Sequence, residues 1–400
     1  MLLESLTKDE KAVLFAVQKK GSATKNEIMR EVECKSTTLN RLLNELKKLS
    51  LVVVSGEGKS TGGRRPLKYR INESIPIFFM GINLGMNHIE LALLHFSGRL
   101  LNMQSVEYKR TLKPEQFLTI VRQLYHTAVL EAKITPSAIS GGCLSVFCAI
   151  DREKGVIQDS VQAKWLSSEW RGYPIKENVE KCIGIKLMAD MSINAISVYE
   201  YLFGNCRGHN RMAVMMCYHS LHMGCIQNGM LIRSADDMDN AFAHMVISIG
   251  GKRCECGDYG CVGAYGSAPA IVKAFVYELR SGRDSSLRDK KPEQLDIYEI
   301  LRAADEGDVL AGEVVVRAAN MVAVAATNYI SLTNPDVLVC AGLLNERSEL
   351  FHRTLMDTIK RRLAFRGREH NLVFVKRSEL NRSVVGSATL AMEAALGKIF

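Results

Sequence analysis

Two kinds of segment are missing from this 400-residue chain. No run of about twenty apolar residues occurs, and the first residues lack the basic start and apolar stretch of a secretory signal. We therefore expect neither membrane insertion nor export, and the sequence predicts a cytoplasmic protein. Most of the 11 cysteines stand singly in apolar segments, as small buried hydrophobic residues do, which fits a reducing compartment.

The chain is longer than one hydrophobic core usually organises, so two or three compact units are expected. Its formal charge of +9 is concentrated near the amino terminus, where residues 1–71 contain 15 Lys plus Arg against 8 Asp plus Glu. Such a local excess is typical of proteins whose partner is rich in phosphates. A solvated helical surface is the alternative that charge alone leaves open.

The spacing of apolar residues in this basic segment predicts three short helices. The first contains Leu14 and ends at Gly21, and Thr24 is placed to cap the second. After a tight turn, Ser36 is expected to cap the third helix. Five leucines form the inner face of that third helix: Leu39, Leu42, Leu43, Leu46 and Leu49.

This order of helices predicts a helix-turn-helix, in which the third helix enters the major groove of DNA. Polar and basic residues occupy the outer face of the third helix, and Asn and Arg side chains suit adenine and guanine edges respectively. The candidate DNA-contacting residues on this helix are Ser36, Thr37, Thr38, Asn40, Arg41, Asn44 and Lys47.

A hairpin follows the third helix and has the pattern of a wing. Residues 51–54 and 66–71 are predicted strands, joined by a loop rich in Gly and Ser. Arg64 and Arg65 lie at the tip, where they can enter a narrow minor groove or bind phosphates. A three-helix protein-interaction module with a basic hairpin is the alternative, but charge, helix spacing and wing together favour double-stranded DNA.

A compact group of metal-ligating residues occurs in the second half of the chain. His244, Cys254, Cys256 and Cys261 offer one nitrogen and three thiolates, a set that suits a closed, four-coordinate structural Zn²⁺ site. Glycines inside the loop allow it to fold tightly around a metal. A redox pair or chance spacing is the alternative, although a Cys-rich loop in a cytoplasmic protein more often binds metal.

This zinc loop, preceded at that distance by histidine, resembles the loop of the ROK family of repressors and sugar kinases. Three further segments are similar to parts of the family: 81–85 to its first phosphate-loop hairpin, 194–204 to the helix after its sugar-binding strand, and 334–342 to a late helix-to-strand passage. Together with the winged helix, the resemblance covers nearly the whole chain and is closest to the NagC/XylR-like regulators.

The resemblance implies an α/β fold: a winged helix-turn-helix followed by a two-lobed, actin/hexokinase-like (ribonuclease H-like) ROK domain. We expect the DNA-binding domain at 1–74 and the first lobe at 75–196, completed by a carboxy-terminal helix at 386–400. The second lobe is expected at 197–385, including the zinc loop. Within the first lobe the sequence predicts three successive strands followed by a helix at 114–132.

The parts that sugar phosphorylation requires are missing from the corresponding positions. The family's kinases carry Asn-Asp, with Asp as the base, where this chain has Met191 and Ser192. Residues 83–87 read Asn-Leu-Gly-Met-Asn in place of Asp-Leu-Gly-Gly-Thr, and residues 218–222 read Tyr-His-Ser-Leu-His in place of Gly-Thr-Gly-x-Gly. Asp190, expected on a strand about 7 Å from Ser192, is a poor substitute base. No catalytic activity is expected.

Two glutamates that contact sugar in the family are replaced here by Ala241 and Gly263. The candidate effector-binding residues are therefore reduced to Ser192, Asn194 and His244. Loss of these hydrogen-bonding groups argues against recognition of a plain hexose in the family's usual way.

The expected function is a sequence-specific transcriptional regulator, usually a repressor in this family, of carbohydrate-related genes. It is expected to bind operator DNA as a homodimer or tetramer, to associate with the nucleoid when bound, and to respond to a sugar-derived effector or a protein partner. One alternative is a ROK-type sugar kinase with an added DNA-binding module. Another is a constitutive DNA-binding protein whose second domain has no ligand.

Overall fold

The computed structural model describes residues 2–58, 65–108, 112–158, 166–233, 241–364, 367, 373–376 and 382–397. These residues form two compact units. The first comprises the described residues of Met1–Asp159, Ala163–Arg207 and Asn381–Phe400, and the second those of Gly208–Leu380.

The amino-terminal part of the first unit has three helices and a small sheet of order β1-β3-β2, which is the winged helix-turn-helix arrangement. Its elements are α1 (Lys8–Lys20), β1 (Ala23–Thr24), α2 (Lys25–Val32), α3 (Ser36–Lys48), β2 (Val52–Glu57) and β3 (Leu67–Ile71). Both α1 and α2 begin with a capping box, formed by Thr7 with Glu10 and by Thr24 with Glu27. Gly21 ends α1 with φ +70°, a backbone conformation that glycine adopts without strain.

The rest of the first unit is built on a five-stranded sheet of order β10-β7-β4-β5-β6. The strands β4, β5 and β6 form an antiparallel meander, β7 adds to β4 in parallel, and β10 adds to β7 in parallel. The elements are β4 (Phe78–Leu84), β5 (His88–His95), β6 (Leu100–Glu107), α4 (Pro114–Ala132), β7 (Ile139–Val146), β8 (Ile150–Asp151), β9 (Val156–Ile157), α5 (Ile175–Ile183), β10 (Leu187–Met191) and α6 (Ser192–Leu202).

The second unit repeats this topology in a five-stranded sheet of order β13-β12-β11-β14-β15. Again three strands form an antiparallel meander, and two more add in parallel beside the first strand of the meander. The elements are β11 (Arg211–Cys217), β12 (Leu221–Gln227), β13 (Met230–Ile232), α7 (Gly263–Gly266), α8 (Ala268–Arg280), α9 (Ile297–Asp305), α10 (Val309–Thr333), β14 (Val337–Ala341), α11 (Leu343–Arg347), α12 (Glu349–Leu363) and β15 (Val373–Lys376). The repeated sheet is the duplicated actin/hexokinase-like fold that the family resemblance implies.

The last helix of the chain, α13 (Arg382–Ala395), belongs to the first unit and packs against α6 and β4. Close packing is possible here because Gly81 of β4 and Gly386 of α13 lack side chains. A Cβ on Gly81 would lie 2.0 Å from the Val384 carbonyl oxygen, and one on Gly386 would lie 2.2 Å from that of Ala195. α13 and α6 therefore form one layer against the first sheet.

Two details of the third helix differ from expectation. Ser36 is the first residue of α3 and does not cap it, because the cap position is taken by Lys35, which makes no side-chain capping bond. Leu49 lies beyond the end of α3 and is 39% exposed, whereas the other four leucines of the expected inner face are buried.

The boundary between the two compact units also differs from the expected boundary between the two lobes. The expected boundary between residues 196 and 197 falls inside α6, which continues without a break to Leu202, and the compact units divide after Arg207. The winged helix shares the first unit with the first lobe instead of forming a unit of its own. The carboxy-terminal helix begins four residues before the expected residue 386.

One helix among the described residues is long and apolar enough to cross a membrane. This helix, α10, has a mean hydropathy of 1.7 in its most apolar window, of which 56% is buried inside the protein. Its buried residues belong to the core of the second unit. A buried core helix passes the same test, so the observation is weak evidence for a membrane span.

Candidate DNA-binding surface and metal centre

The outer face of α3 exposes most of the residues predicted to contact DNA. Leucines anchor the opposite face, so the polar face is turned to solvent along the length of the helix. Ser36, Thr37, Arg41, Asn44 and Lys47 are exposed, and Thr38 and Asn40 are half-buried. The structure thus places all seven residues on one helix with most of them accessible to a partner.

Two of these side chains, Asn40 and Arg41, differ in their contacts within the protein. The Oδ1 atom of Asn40 accepts a hydrogen bond from Lys25 Nζ at 2.5 Å, which orients its amide group on the surface. Arg41 makes no ion pair with any residue in the described part of the chain, so its guanidinium group is available to an acceptor outside the module. A guanidinium of this kind can bind a guanine edge through two hydrogen bonds.

The wing is a two-stranded ribbon formed by β2 and β3. Its antiparallel register pairs Val54 with Tyr69 and Glu57 with Leu67, with one irregularity before Gly56. Arg65 is exposed at the base of the connecting loop. Arg64 lies outside the described residues. The ribbon carries basic residues beside the third helix, as a wing requires.

The four predicted metal ligands are brought together. The ligand atoms of His244, Cys254, Cys256 and Cys261 all lie within 4.8 Å of one another. The Sγ atoms of Cys256 and Cys261 are 3.8 Å apart, and Cys254 Sγ is 3.6 Å from His244 Nδ1. Tetrahedral zinc, with Zn–S near 2.3 Å and Zn–N near 2.05 Å, requires about 3.8 Å between sulfurs and about 3.6 Å between sulfur and nitrogen. The residues fit the metal.

Backbone hydrogen bonds hold this loop in its shape. The Gly260 amide donates to Lys252 O at 2.8 Å, and the Val262 amide donates to Met245 O at 2.9 Å, which places Cys261 beside His244. Gly260 has φ +81°, and a Cβ there would lie only 1.8 Å from the Ser248 carbonyl oxygen. Glycine is therefore required at this turn for both its backbone conformation and its lack of a side chain.

The surroundings of the ligands influence their protonation. Burial raises the pKa of the Cys261 thiol to about 12, and the neighbouring thiols add to this effect. Burial lowers the pKa of His244, which keeps its ring in the neutral, metal-binding form. A bound cation would oppose the rise in thiol pKa, because metal binding displaces the thiol protons.

One of the three candidate effector residues, Ser192, lies in a buried polar network in the first unit. Ser192 Oγ donates to Asn83 Oδ1 at 2.8 Å, and Ser145 Oγ donates to the same oxygen at 2.9 Å. Asn83 Nδ2 in turn donates to Glu90 Oε2 at 2.9 Å, and Ser387 Oγ lies 2.6 Å from Ser145 Oγ. We call these five buried side chains the Asn83 network. Of the other two candidates, Asn194 lies in the first unit outside this network, and His244 belongs to the second unit.

Asp190, the poor substitute for the missing catalytic base, is also held by internal contacts. Asp190 is fully buried at the end of β10, and its Oδ1 accepts from the Met191 amide and from Asn194 Nδ2. Ser192 is the first residue of α6, so Asp190 and Ser192 do not share a strand face as expected.

In the second unit, burial and the neighbouring His244 lower the pKa of His222 to about 4, which keeps that buried ring neutral.

A set of contacts between the winged helix and the first lobe was not predicted from the sequence. Gln18 and Lys19, in the last turn of α1, are buried and bond to residues more than seventy positions away. One signal was present in the sequence: Gln18 lies four residues after Leu14 and next to Val17, on the apolar face of α1. A polar residue on an apolar face indicates a buried hydrogen bond.

A winged helix followed by two repeated α/β sheets and a Cys/His loop defines a sugar-kinase-like protein with a DNA-binding-type module. The profile of the ROK family matches residues 79–394. The chain belongs to the ROK family.

Relatives that resemble nearly the whole chain are regulators. A putative xylose repressor from Caldicellulosiruptor sp. (strain Rt8B.4) is 23% identical over 381 residues, covering 95% of this chain and 94% of that protein. A glucokinase from Thermotoga maritima is 26% identical, but the match covers 70% of this chain and 86% of the enzyme. The crystal structure of a ROK family transcriptional regulator, a homologue of the E. coli MLC protein, has a TM-score of 0.77 at 19% identity over 98% of this chain and 97% of that one. These comparisons support a ROK transcriptional regulator.

Proposed function

We propose that this protein represses carbohydrate-related genes by binding operator DNA through α3 and the wing. The carrying observation is the exposed polar face of α3, with Arg41 unpaired among the described residues, beside a basic hairpin. The amino-terminal charge excess and the repressor relatives support this function. As a symmetric homodimer or tetramer, it would bind half-sites about one helical turn of DNA apart.

Selection of binding sites from random duplex DNA, followed by titration of variants, tests the DNA-binding surface. We expect Arg41→Ala to weaken binding to the selected site by about 1–3 kcal/mol and to relax base preference at one position. Replacing Arg64 and Arg65 with alanine should weaken binding to all sequences and flatten the salt dependence by about one unit of slope per lost phosphate contact.

The control for these variants is Arg302→Ala, which removes an exposed arginine from α9 in the second unit. It should leave both affinity and salt dependence unchanged. If the Arg41 variant bound the selected site as tightly as the control did, α3 would not be the base-reading helix.

We assign the Cys/His cluster to a structural Zn²⁺. Four protein ligands leave no position for a catalytic water, and the loop joins the His244 segment to α7 and α8. Phe242, two residues before His244, packs edge-on against Tyr329 of α10 at 6.0 Å. The metal would thus fix the loop to the helices of the second unit, and its loss would unfold this region locally.

The ROK domain acts in this proposal as an effector-binding and oligomerisation domain without kinase activity. The absence of the expected base and phosphate loops from the sequence, together with the internal bonding of Asn83, Ser192 and Asp190, supports this role. Ser192, Asn194 and His244 remain the candidate effector residues, and a sugar-derived ligand or a docking protein is the candidate signal. A thermal-shift screen with hexoses, amino sugars and their phosphates tests for the ligand, since a ligand at a hundred times its dissociation constant stabilises by about 2.7 kcal/mol.

A further inference from the structure

The last turn of α1 is buried against the first lobe. Lys19 Nζ lies 2.8 Å from the Tyr201 hydroxyl, 4.8 Å from the centre of that ring, and 2.7 Å from Glu31 Oε1. The Lys19 carbonyl oxygen accepts from Arg207 Nη2 at 2.6 Å and from Nε at 3.2 Å. Lys19 thus bonds to the segment from α6 to Arg207 through both its charged side chain and its backbone carbonyl oxygen.

Gln18 makes the second part of this contact. Its Nε2 donates to the Phe96 carbonyl oxygen at 2.7 Å and lies 2.8 Å from Met392 Sδ. The side chain is 1% exposed, yet its Oε1 has no hydrogen-bond partner in the described part of the protein. A buried carbonyl oxygen without a partner makes the docked state less stable than a fully bonded contact would be.

The surface beside these contacts is incompletely packed. A cavity of about 280 Å³ lies between the module and the first lobe. It is lined by Gln18, Gly21, Arg70, Ile71 and Glu73 on the module side and by Ser97, Gly98 and Arg99 on the lobe side. A polar contact next to a cavity can open at lower cost than a close-packed apolar interface.

Two of the lobe residues that contact α1, Tyr201 and Met392, lie on helices that also carry members of the Asn83 network. Tyr201 lies near the end of α6, whose first residue is Ser192, and ten residues of helix span about 15 Å. Met392 lies on α13, which also carries Ser387. A displacement of the network would therefore reach Gln18 and Lys19 through two helices that pack against each other.

We propose that Gln18 and Lys19, with Tyr201, Arg207, Phe96 and Met392, form a latch that positions the DNA-binding module and that α6 links to the Asn83 network. This inference rests on the proposed function, because it names how that function is regulated. A closed latch holds the recognition helix in one orientation on the first lobe. A change in the network shifts α6, loosens the latch and reduces the fit to two half-sites of fixed spacing. Gln18 and Lys19 are positioning residues, since neither lies on the DNA-contacting face.

Hydrogen exchange of the full-length protein without DNA tests the latch directly. Lys19→Met and Tyr201→Phe should each accelerate exchange of amides in the last turn of α1 by about 2- to 10-fold, the factor that corresponds to one lost hydrogen bond. The matched control is Lys20→Met, which removes the same charge from the adjacent, exposed residue. Exchange in both latch variants at the control rate would overturn the latch.

A second pair of variants tests whether α6 links the latch to the Asn83 network. Ser192→Ala removes the bond to Asn83, whereas Ser197→Ala removes only a bond to Ile193 O within the same helix. We expect Ser192→Ala, but not Ser197→Ala, to accelerate exchange in the last turn of α1. Equal exchange in the two variants would overturn the link.

Binding to paired half-sites gives the functional readout. The wild-type protein should prefer one half-site spacing, and Lys19→Met and Tyr201→Phe should reduce that preference about fivefold or more while binding to a single half-site stays unchanged. If the latch variants kept the wild-type spacing preference, the positioning role would be refuted. If the wild type bound no DNA specifically, the proposed function would fail, while the exchange experiment would still decide the latch.

Discussion

At the scale of single residues, Asn83 carries the clearest difference from a kinase. By resemblance, the family's kinases have a metal-facing aspartate at this position. Here the amide accepts from two serine hydroxyls and donates to Glu90, which is 1% exposed. An amide can bond to both hydroxyls and a carboxylate at once, whereas an aspartate would oppose the carboxylate of Glu90. The network is thus suited to asparagine.

We therefore predict that Asn83→Asp destabilises the protein and does not create a kinase. Two buried carboxylates would face each other, at a cost of about 2–4 kcal/mol in the free energy of unfolding near pH 8. Urea unfolding measures this effect, and an ATP assay with a hexose panel should show no turnover for wild type or variant.

A surface pair of the same chemistry provides the control. Asn102 Nδ2 donates to Glu131 Oε2 at 2.8 Å in an exposed position, so Asn102→Asp should cost far less. Equal stability losses in the two variants would show that burial of the Asn83 network is not the cause. ATP-dependent phosphorylation by the wild type would contradict the regulator outright.

Cys256 provides the residue-scale prediction for the metal centre. Cys256→Ser replaces one thiolate of the four, and we expect it to lower both the zinc content and the stability, by about 2 kcal/mol or more, which corresponds to a fall in Tm of at least about 4 °C. Metal analysis and thermal unfolding measure the two quantities. Cys34→Ser, in the amino-terminal module, is the control. Full zinc content with an unaltered Tm would remove Cys256 from the ligand set.

At the scale of elements, the zinc loop depends on Gly260 more than on Gly257. Both have positive φ, so alanine at either position is strained by about 1 kcal/mol. Only at Gly260 would the added Cβ also collide with backbone, whereas at Gly257 no atom lies within 4 Å. We predict that Gly260→Ala lowers stability by at least about 2 kcal/mol more than Gly257→Ala and reduces zinc binding. Similar Tm values for the two variants would contradict this account of the loop.

Elements with a local signal were predictable from the sequence, and those defined by distant contacts were not. The helix α4 has the expected bounds, Pro114–Ala132, because proline at its start and a regular apolar pattern define it locally. The continuous helix α6 was divided at 196, because its buried side reflects packing against α13, far along the chain. The first turns of α13 are likewise defined by distant contacts, because Val384 and Val385 pack in a buried cluster with Ala92 and Leu94.

The functional residues also divide into those with a local sequence signal and those defined by distant contacts. The metal ligands are close enough in sequence for spacing and donor type to identify them, and their geometry fits zinc. The Asn83 network joins serines from positions 145, 192 and 387, and the latch joins α1 to residues at 96, 201, 207 and 392. Such sets appear only when tertiary structure brings the elements together.

At the scale of the whole molecule, a sugar-kinase-like domain supplies the frame, and the amino-terminal module supplies the proposed DNA-binding surface. The repeated sheets and the match over residues 79–394 establish the frame. The basic segment ahead of that match carries α3, the wing and the latch residues Gln18 and Lys19. The proposed regulator therefore reads DNA with one end of the first unit and receives its signal through the buried network of the same unit.

Recovery of genomic DNA fragments by the purified full-length protein, followed by a footprint on the strongest fragment, tests the central claim most directly. We predict a protected palindrome near carbohydrate genes, with half-sites about one helical turn apart and with protection that persists at physiological salt. Weak binding without sequence preference, lost as salt rises, would contradict an operator-binding regulator.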